Sequence, residues 1–407
     1  MTDRKTGLVD RRSVLAGLGA GLGAYAAGGV RLSLAAGPGN KRFVLVLLRG
    51  GMDGLALVPP YGDDDYASQR GALAIPGSGK DDGVIDLDGF HGLHPAASAL
   101  LPFWQRQEML VIPAAATPYR GRSHLEAQRV LENGSTTPDG AEGGWLNRAL
   151  GLLGDGTAPA VAVSKTMPLV LAGLNETSIW PAQSLPQAIT GYFEKVALLY
   201  SGDLIFAPLL AEGLRQKETR LSRLTEDDSL SGRGAWRPQD LEYIATMAAE
   251  NLRADRGARI AVLEAAGWDT HQDQGSVNGV LARRLSGLSG ALSAMAVAMG
   301  PAWADTVVAV VGEFGRSVTP NATRGTDNGV GGTMLLLGGS VAGGRIAGGW
   351  PGLSTSDLVD GAALKPATDT RSVFASILVD HFGMALAGVQ KTVFPGSGGG
   401  AIQGLIR

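Results

Sequence analysis

The chain contains no cysteine. That excludes disulfides, thiolate metal sites and cysteine nucleophiles, so any catalysis must rest on Ser, Thr, His or carboxylates, with or without a metal. It also lacks an excess of charge of either sign. With 35 Lys+Arg against 38 Asp+Glu the formal net charge is −3, which argues against a nucleic-acid surface. There is no long-period repeat, and glycine pairs such as Gly331-Gly332 and Gly338-Gly339 do not match a nucleotide-binding fingerprint. Beyond the amino-terminal segment, no stretch reads as long enough to cross a bilayer. Glycine is what the chain has in quantity: 61 of 407 residues, which implies many tight turns and close backbone approaches. Hydrophobic residues make up 44%, enough for a sizeable core in one large α/β domain with an insert, or in two domains.

Residues 1–36 read as an export signal. Asp10-Arg11-Arg12-Ser13-Val14-Leu15 precedes a mildly apolar run from Ala16 to Val30, and Ser33-Leu34-Ala35-Ala36 offers small residues for cleavage. Paired arginines before a weakly hydrophobic run resemble a twin-arginine signal; a basic amphipathic helix or membrane anchor is the other reading. On the first reading the twin-arginine export machinery is a partner. The mature protein is then expected to be soluble, in the periplasm or outside the cell, with any cofactor loaded before export. Residues 37–395 are expected to form a single domain, and 396–407 a flexible glycine-rich tail.

Lys41 to Gly50 reads as a buried first strand, with Gly51-Met52-Asp53-Gly54 as the loop at its carboxyl end. Pro59 to His94 reads as a long loop with short strands, Pro95 to Gln107 as helix, and Met109 to Ala114 as strand. Ser123, with Glu126 three residues on, makes a capping box that opens a helix to about Glu132. Strand-like Ala160–Ser164 and Leu169–Ala172 precede helical stretches near 186–200 and 203–224, then a polar linker, Glu226–Arg237. Residues 133–240 therefore read as part of the α/β layer plus a helical insert or cap. A helix near 238–253, strand Arg259–Glu264, helix 276–299, strand Asp305–Gly312, strand Thr333–Gly338 and a late helix 370–388 complete the alternation. It predicts a three-layer α/β/α fold around a mostly parallel sheet.

Three carboxylates fall after predicted strands, at the edge where α/β proteins place ligands: Asp53, Asp269 and Asp327. Asp269 and His271 are two residues apart in extended chain and point to one side, within reach of a single ion. Asp327 and Asn328 offer hard oxygen donors. Each also has an ordinary reading, as a turn residue, a cap or an exposed side chain. If Asp53 is buried beside other carboxylates it needs a cation to offset repulsion. Ser123, in Arg120-Gly121-Arg122-Ser123-His124, is the nucleophile candidate: a hydroxyl at a helix N-terminus beside arginines suited to phosphate or sulfate, or else a plain N-cap. His91 and His94 read as a further ligand or as surface groups, His381 as structural, and Arg316 as an anion binder or the partner of Glu313.

Taken in order, Arg49-Gly-Gly-Met-Asp-Gly54, Arg122-Ser-His-Leu-Glu-Ala-Gln128, Gly267-Trp-Asp-Thr-His271, Gly312-Glu-Phe-Gly-Arg316 and Gly325-Thr-Asp-Asn-Gly329 resemble the DUF1501 family. These are exported bacterial proteins, many with twin-arginine signals, related to the alkaline phosphatase and sulfatase superfamily and without a settled activity. The resemblance spans about residues 41 to 390. It implies an alkaline phosphatase-like α/β/α core in which Asp53, Asp269, His271, Asp327 and Asn328 hold a divalent metal (Ca, Mg or Zn), Ser123 is the nucleophile and Arg122 orients an anionic ester. The family usually has Asp-His-Gly where this chain has Asp327-Asn328-Gly329, and losing that nitrogen favours Ca²⁺ or Mg²⁺ over Zn²⁺. A formylglycine sulfatase is disfavoured, because Ala116-Thr-Pro-Tyr-Arg120 has alanine at the nucleophile position. Two functions follow: an exported metal-dependent hydrolase of phosphate or sulfate esters, or a non-catalytic exported binding or assembly protein that retains the fold.

Overall fold

Val44, Val46 and Leu48 of strand β1 (Arg42–Arg49) pack into one apolar layer, and Phe43, Leu45 and Leu47 into another. A strand apolar on both faces has to lie between two layers, and parallel pairing supplies that arrangement. The computed structural model describes residues 40–153, 160–164, 166–180, 238–254, 257–397 and 400–407; the expected signal segment, the stretches near 186–200 and 203–224 and the linker Glu226–Arg237 lie outside them. Among these residues β1 is paired in parallel with β7 (Ile260–Ala266) on one side and β8 (Thr306–Gly312) on the other. Beyond β7 come β5 (Ala160–Val163) and the edge strand β6 (Thr177–Trp180), both parallel. Beyond β8, strand β9 (Gly332–Leu337) runs antiparallel to β8 and to β4 (Met109–Ala116). Short strands β10 (Arg345–Ile346) and β11 (Thr368–Asp369) add to β4, and β2 (Ile85–Asp86) with β3 (Gly92–Leu93) forms a separate hairpin. Strands β1, β4, β7 and β8 thus release their chains at the same edge.

Helices α3 (Pro238–Arg253) and α4 (Val280–Met299) cover one face, α4 burying Leu281, Leu285, Leu288, Leu292 and Met295 at helical spacing. Helices α1 (His124–Asn133), α2 (Trp145–Leu153) and α5 (Thr370–Ser376) cover the other, where the Trp145 ring lies 4.6 Å from Phe374 and 5.2 Å from Phe394. The expected α/β/α class and mostly parallel sheet are what the chain forms.

Several local expectations change. Helix α4 is, by length and composition, apolar enough to span a membrane, contrary to the expectation that no later stretch is; its leucine stripe is buried against the sheet instead. Leu169–Leu171 is a 3-10 turn, not a strand: Leu171 N–H donates to the Pro168 carbonyl, and Val170 N–H donates to the Glu132 carboxylate at 3.0 Å. The edge strand comes later, at Thr177. Helix α4 starts at Val280, because Gly279 adopts φ 132°. The late helix runs from Thr370 through a π turn, Ile377–His381, and breaks at Gly383 (φ 71°). Residues 95–105 are 3-10 up to Leu100 and α-helical from Leu101. Pro113 is accommodated inside β4 by a register shift between Ile112 and Ala115, the kind of bulge at which a sheet tolerates proline.

His381 is structural, as expected. It is buried, and its Nε2 lies 3.0 Å from the Arg42 carbonyl, so Nε2 carries the proton and Nδ1 is bare. Burial holds its pKa down at about 4 against 6.5. Because the folded state resists protonation, this contribution is complete above about pH 6.5 and is lost as pH falls toward 4; the window corresponds to on the order of 3 kcal/mol. Denaturant unfolding at pH 7.5 and 4.5 should show His381→Gln with a flatter pH dependence than wild type; equal slopes would assign the acid sensitivity elsewhere.

Candidate metal centre

The loops leaving β1, β4, β7 and β8 meet at one edge. Gly50, at the end of β1, has φ +117°, and a Cβ there would lie 2.4 Å from the Asp269 backbone nitrogen. Gly325 meets His271 in the same way, with a would-be Cβ 2.3 Å from its carbonyl. Only glycine permits these approaches, which bring the β1 turn and the 317–329 loop against the Asp269–His271 segment. The loop after β4 enters α1 through Ser123, whose Oγ accepts from the Glu126 N–H, the capping geometry read from the sequence. His124, the first residue of α1, then faces the same edge.

His124, Asp269 and His271 each offer one ligand atom, and these atoms all lie within 4.8 Å of one another. His271 Nε2 is 3.0 Å from Asp269 Oδ1, and His124 Nε2 is 3.6 Å from Asp269 Oδ2. Each imidazole carries a second carboxylate on its other nitrogen: Glu313 lies 2.7 Å from His124 Nδ1, and Asp327 lies 3.1 Å from His271 Nδ1. Two histidine nitrogens and a carboxylate, partly open to solvent, are a donor set for zinc-class ions, and a three-ligand site leaves a position for water or substrate. Outer carboxylates on ligand histidines are the usual companions of such sites.

The other sequence-predicted residues lie beside this trio with partners of their own. Asp53, 1% exposed, receives hydrogen bonds from Arg70 Nη2 at 2.6 Å, from Gln274 Nε2 at 2.7 Å and from the Ala56 N–H. The cation beside it is the fully buried Arg70 guanidinium. Asn328 Oδ1 accepts from Arg316 Nη1 at 2.7 Å, and its Nδ2 donates to the Arg122 carbonyl at 3.0 Å. Asn328 therefore joins the loop before β9 to the residue preceding Ser123. Arg316 does not pair with Glu313. Its side chain is 0% exposed and donates to Asp269 Oδ1 (2.7 Å), Asn328, the Gly50 carbonyl and Thr326. Gln274 Oε1 accepts from Thr270 and Thr326, closing a polar chain that runs buried from Arg70 through Asp53 and Gln274 to Arg316 and ends at the exposed Asp269. Ser123 and Arg122 are exposed at the rim, where the Arg122 guanidinium lies 3.4 Å from Asp360. His91 pairs with Asp88, and His94 Nε2 lies 3.0 Å from the Ser276 carbonyl; neither belongs to the cluster.

The charges fit a cation. Around the two imidazoles, three carboxylates (Asp269, Glu313, Asp327) against one guanidinium (Arg316) leave two negative charges. The Glu313 bond raises the His124 pKa against the opposing effect of burial, with Asp269 adding to the rise. Burial would raise Glu313, but bonds from His124, Gln128 and the Gly50 N–H outweigh it and hold the carboxyl below its ordinary range. Asn321 and then His271 hold Asp327 low.

Sequence reasoning did not propose His124, Glu313, Arg70 or Gln274 as site residues. His124 and Glu313 stand inside two of the quoted motifs, next to Ser123 and directly before Phe314-Gly-Arg316, so position was the available signal. Arg70 and Gln274 carried none.

In sequence, no curated protein matches the chain. Among solved structures, the chain is similar to Ps i-CgsB in complex with k-i-k-neocarrahexaose (9% identity, 89% of this chain and 74% of that chain, TM-score 0.42). It is also similar to the phosphonate monoester hydrolase of Agrobacterium radiobacter (10% identity, 85% and 74%, TM-score 0.35). A third is the C-terminal periplasmic domain of EcEptC from Escherichia coli in complex with Zn (10% identity, 74% and 74%, TM-score 0.33). The family described as "Protein of unknown function (DUF1501)" matches residues 115–392, more than half of the chain and all of the metal-centre trio. The chain belongs to the DUF1501 family.

Proposed function

We propose that this protein is an exported, divalent-metal-dependent hydrolase of phosphate or sulfate esters, with the metal held by His124, Asp269 and His271. The observation that carries the reading is the clustering of these three ligand atoms within 4.8 Å at the strand edge. A divalent ion there supplies Lewis-acid polarisation of an ester oxygen and charge stabilisation. The donor set of two nitrogens and one oxygen favours zinc over calcium, since Asn328 already gives its oxygen to Arg316. The rest of the work falls to the chain. Arg316 and Asp269 fix each other, and the Asn328–Arg122 bond holds the Ser123 segment beside the cluster. Ser123, exposed and one residue from His124, is the candidate attacking hydroxyl, and the exposed Arg122 the group that orients the anion. The amino-terminal Arg11-Arg12 pattern supports twin-arginine export to the periplasm or beyond.

A second reading, a non-catalytic exported protein that keeps the fold, is favoured by Arg70 and Arg316, which already neutralise Asp53 and Asp269. Zinc titration of the purified chain, followed by a panel of phosphate and sulfate esters, separates the two. The hydrolase is expected to bind one zinc, and Ser123→Ala to keep that zinc while losing at least about a thousandfold in turnover. No turnover with any ester would favour the second reading, whereas turnover unaffected by Ser123→Ala would remove Ser123 as the nucleophile.

A further inference from the structure

We infer that Glu313 is the positioning residue of the centre: it holds His124 so that Nε2, not Nδ1, is the ligand. The inference rests on the metal-centre reading above. Glu313 directly follows β8, and its side chain is 1% exposed. One oxygen, Oε1, accepts from His124 Nδ1 at 2.7 Å, from Gln128 Nε2 at 3.1 Å and from the Gly50 N–H at 2.9 Å. Gly50 is itself pressed against the Asp269 backbone, so this carboxylate is referenced to the same wall that carries the central ligand. The ring of Phe314 lies 4.7 Å from that of His124 and limits its rotation.

A buried anion on Nδ1 keeps the proton there and leaves the Nε2 lone pair free. That Nε2 is buried and has no hydrogen-bond partner. Its 3.6 Å separation from Asp269 Oδ2 is too long for a hydrogen bond. Burying such an atom unsatisfied is unfavourable, and a shared ion is the group that would satisfy both atoms. Asp327 stands in the same relation to His271, but its side chain is 60% exposed, so solvent screens it and it orients its histidine less firmly.

The test is competitive zinc titration of the metal-free full chain, comparing wild type with Glu313→Gln and Asp327→Asn. Glu313→Gln is expected to weaken zinc binding by about 10–100-fold, and Asp327→Asn by less than about threefold. Side-chain ¹⁵N spectra of the zinc-loaded wild type should show His124 metallated at Nε2 and protonated at Nδ1, a readout that holds even if Glu313→Gln fails to fold. Zinc on Nδ1, or an affinity for Glu313→Gln within about twofold of wild type, would overturn the assignment while leaving the metal centre intact. A wild-type chain that takes up no zinc would instead remove the centre itself, and the role of Glu313 with it.

Discussion

Asp53→Ala is expected to lower the unfolding free energy by about 3–5 kcal/mol, the cost of breaking a buried ion pair from one side. Asp53 and Arg70 are 1% and 0% exposed, so water cannot replace the lost partner. The variant leaves Arg70 without its counter-ion, bonded to the backbone carbonyls of Val318 and Ser317, and it strands the Gln274 amide. It also removes the cap on the single helical turn Gly54–Leu57. Zinc affinity of the folded fraction should change little, because the Asp53 carboxylate bonds to Arg70, Gln274 and Ala56, not to the trio. Denaturant unfolding and zinc titration on the same variant check both halves. A variant of normal stability that has lost zinc would make Asp53 a ligand.

The opposite pattern is expected for Asp269. Asp269→Asn keeps an oxygen for Arg316 Nη1, so most of the packing survives, but it removes the anion between the two histidines. A full zinc-binding free energy of about 10–16 kcal/mol, spread over four positions, assigns roughly 3 kcal/mol to each ligand, about a hundredfold in affinity. Zinc binding should fall by at least that factor. Asp269→Ala should add a stability loss, because it leaves the buried guanidinium of Arg316 short of its counter-ion. If Asp269→Asn binds zinc like wild type, the trio is not a metal site.

Much of the fold was legible because its signals are local. The apolar runs at 42–49, 260–266 and 306–312 are long enough to demand burial on both faces, and the Ser123–Glu126 box marks the start of α1 to the residue. Leu169–Leu171 misled because a short apolar run suits a strand or a turn equally, and the Glu132 side chain decided it. The edge location of the candidate site was readable as well, since Asp53, Asp269 and Asp327 each follow a strand. Which of them face one another was not. Asp53 and Asp269 differ in their arginine partners, and Arg70 comes from a short helix that follows β1 by some 17 residues with no motif around it. Asn328 read from sequence as the loss of a nitrogen ligand. In the fold it bridges Arg316 and Arg122, and His124 offers a nitrogen at the candidate site.

Anomalous diffraction at the zinc edge, from crystals of the purified chain grown with zinc, is the most direct measurement. The predicted result is one zinc bound by His124, Asp269 and His271, with Glu313 on the far side of His124 and Arg70 still on Asp53. Zinc bound at Asp53 in place of Arg70, or no zinc at the trio, would contradict it.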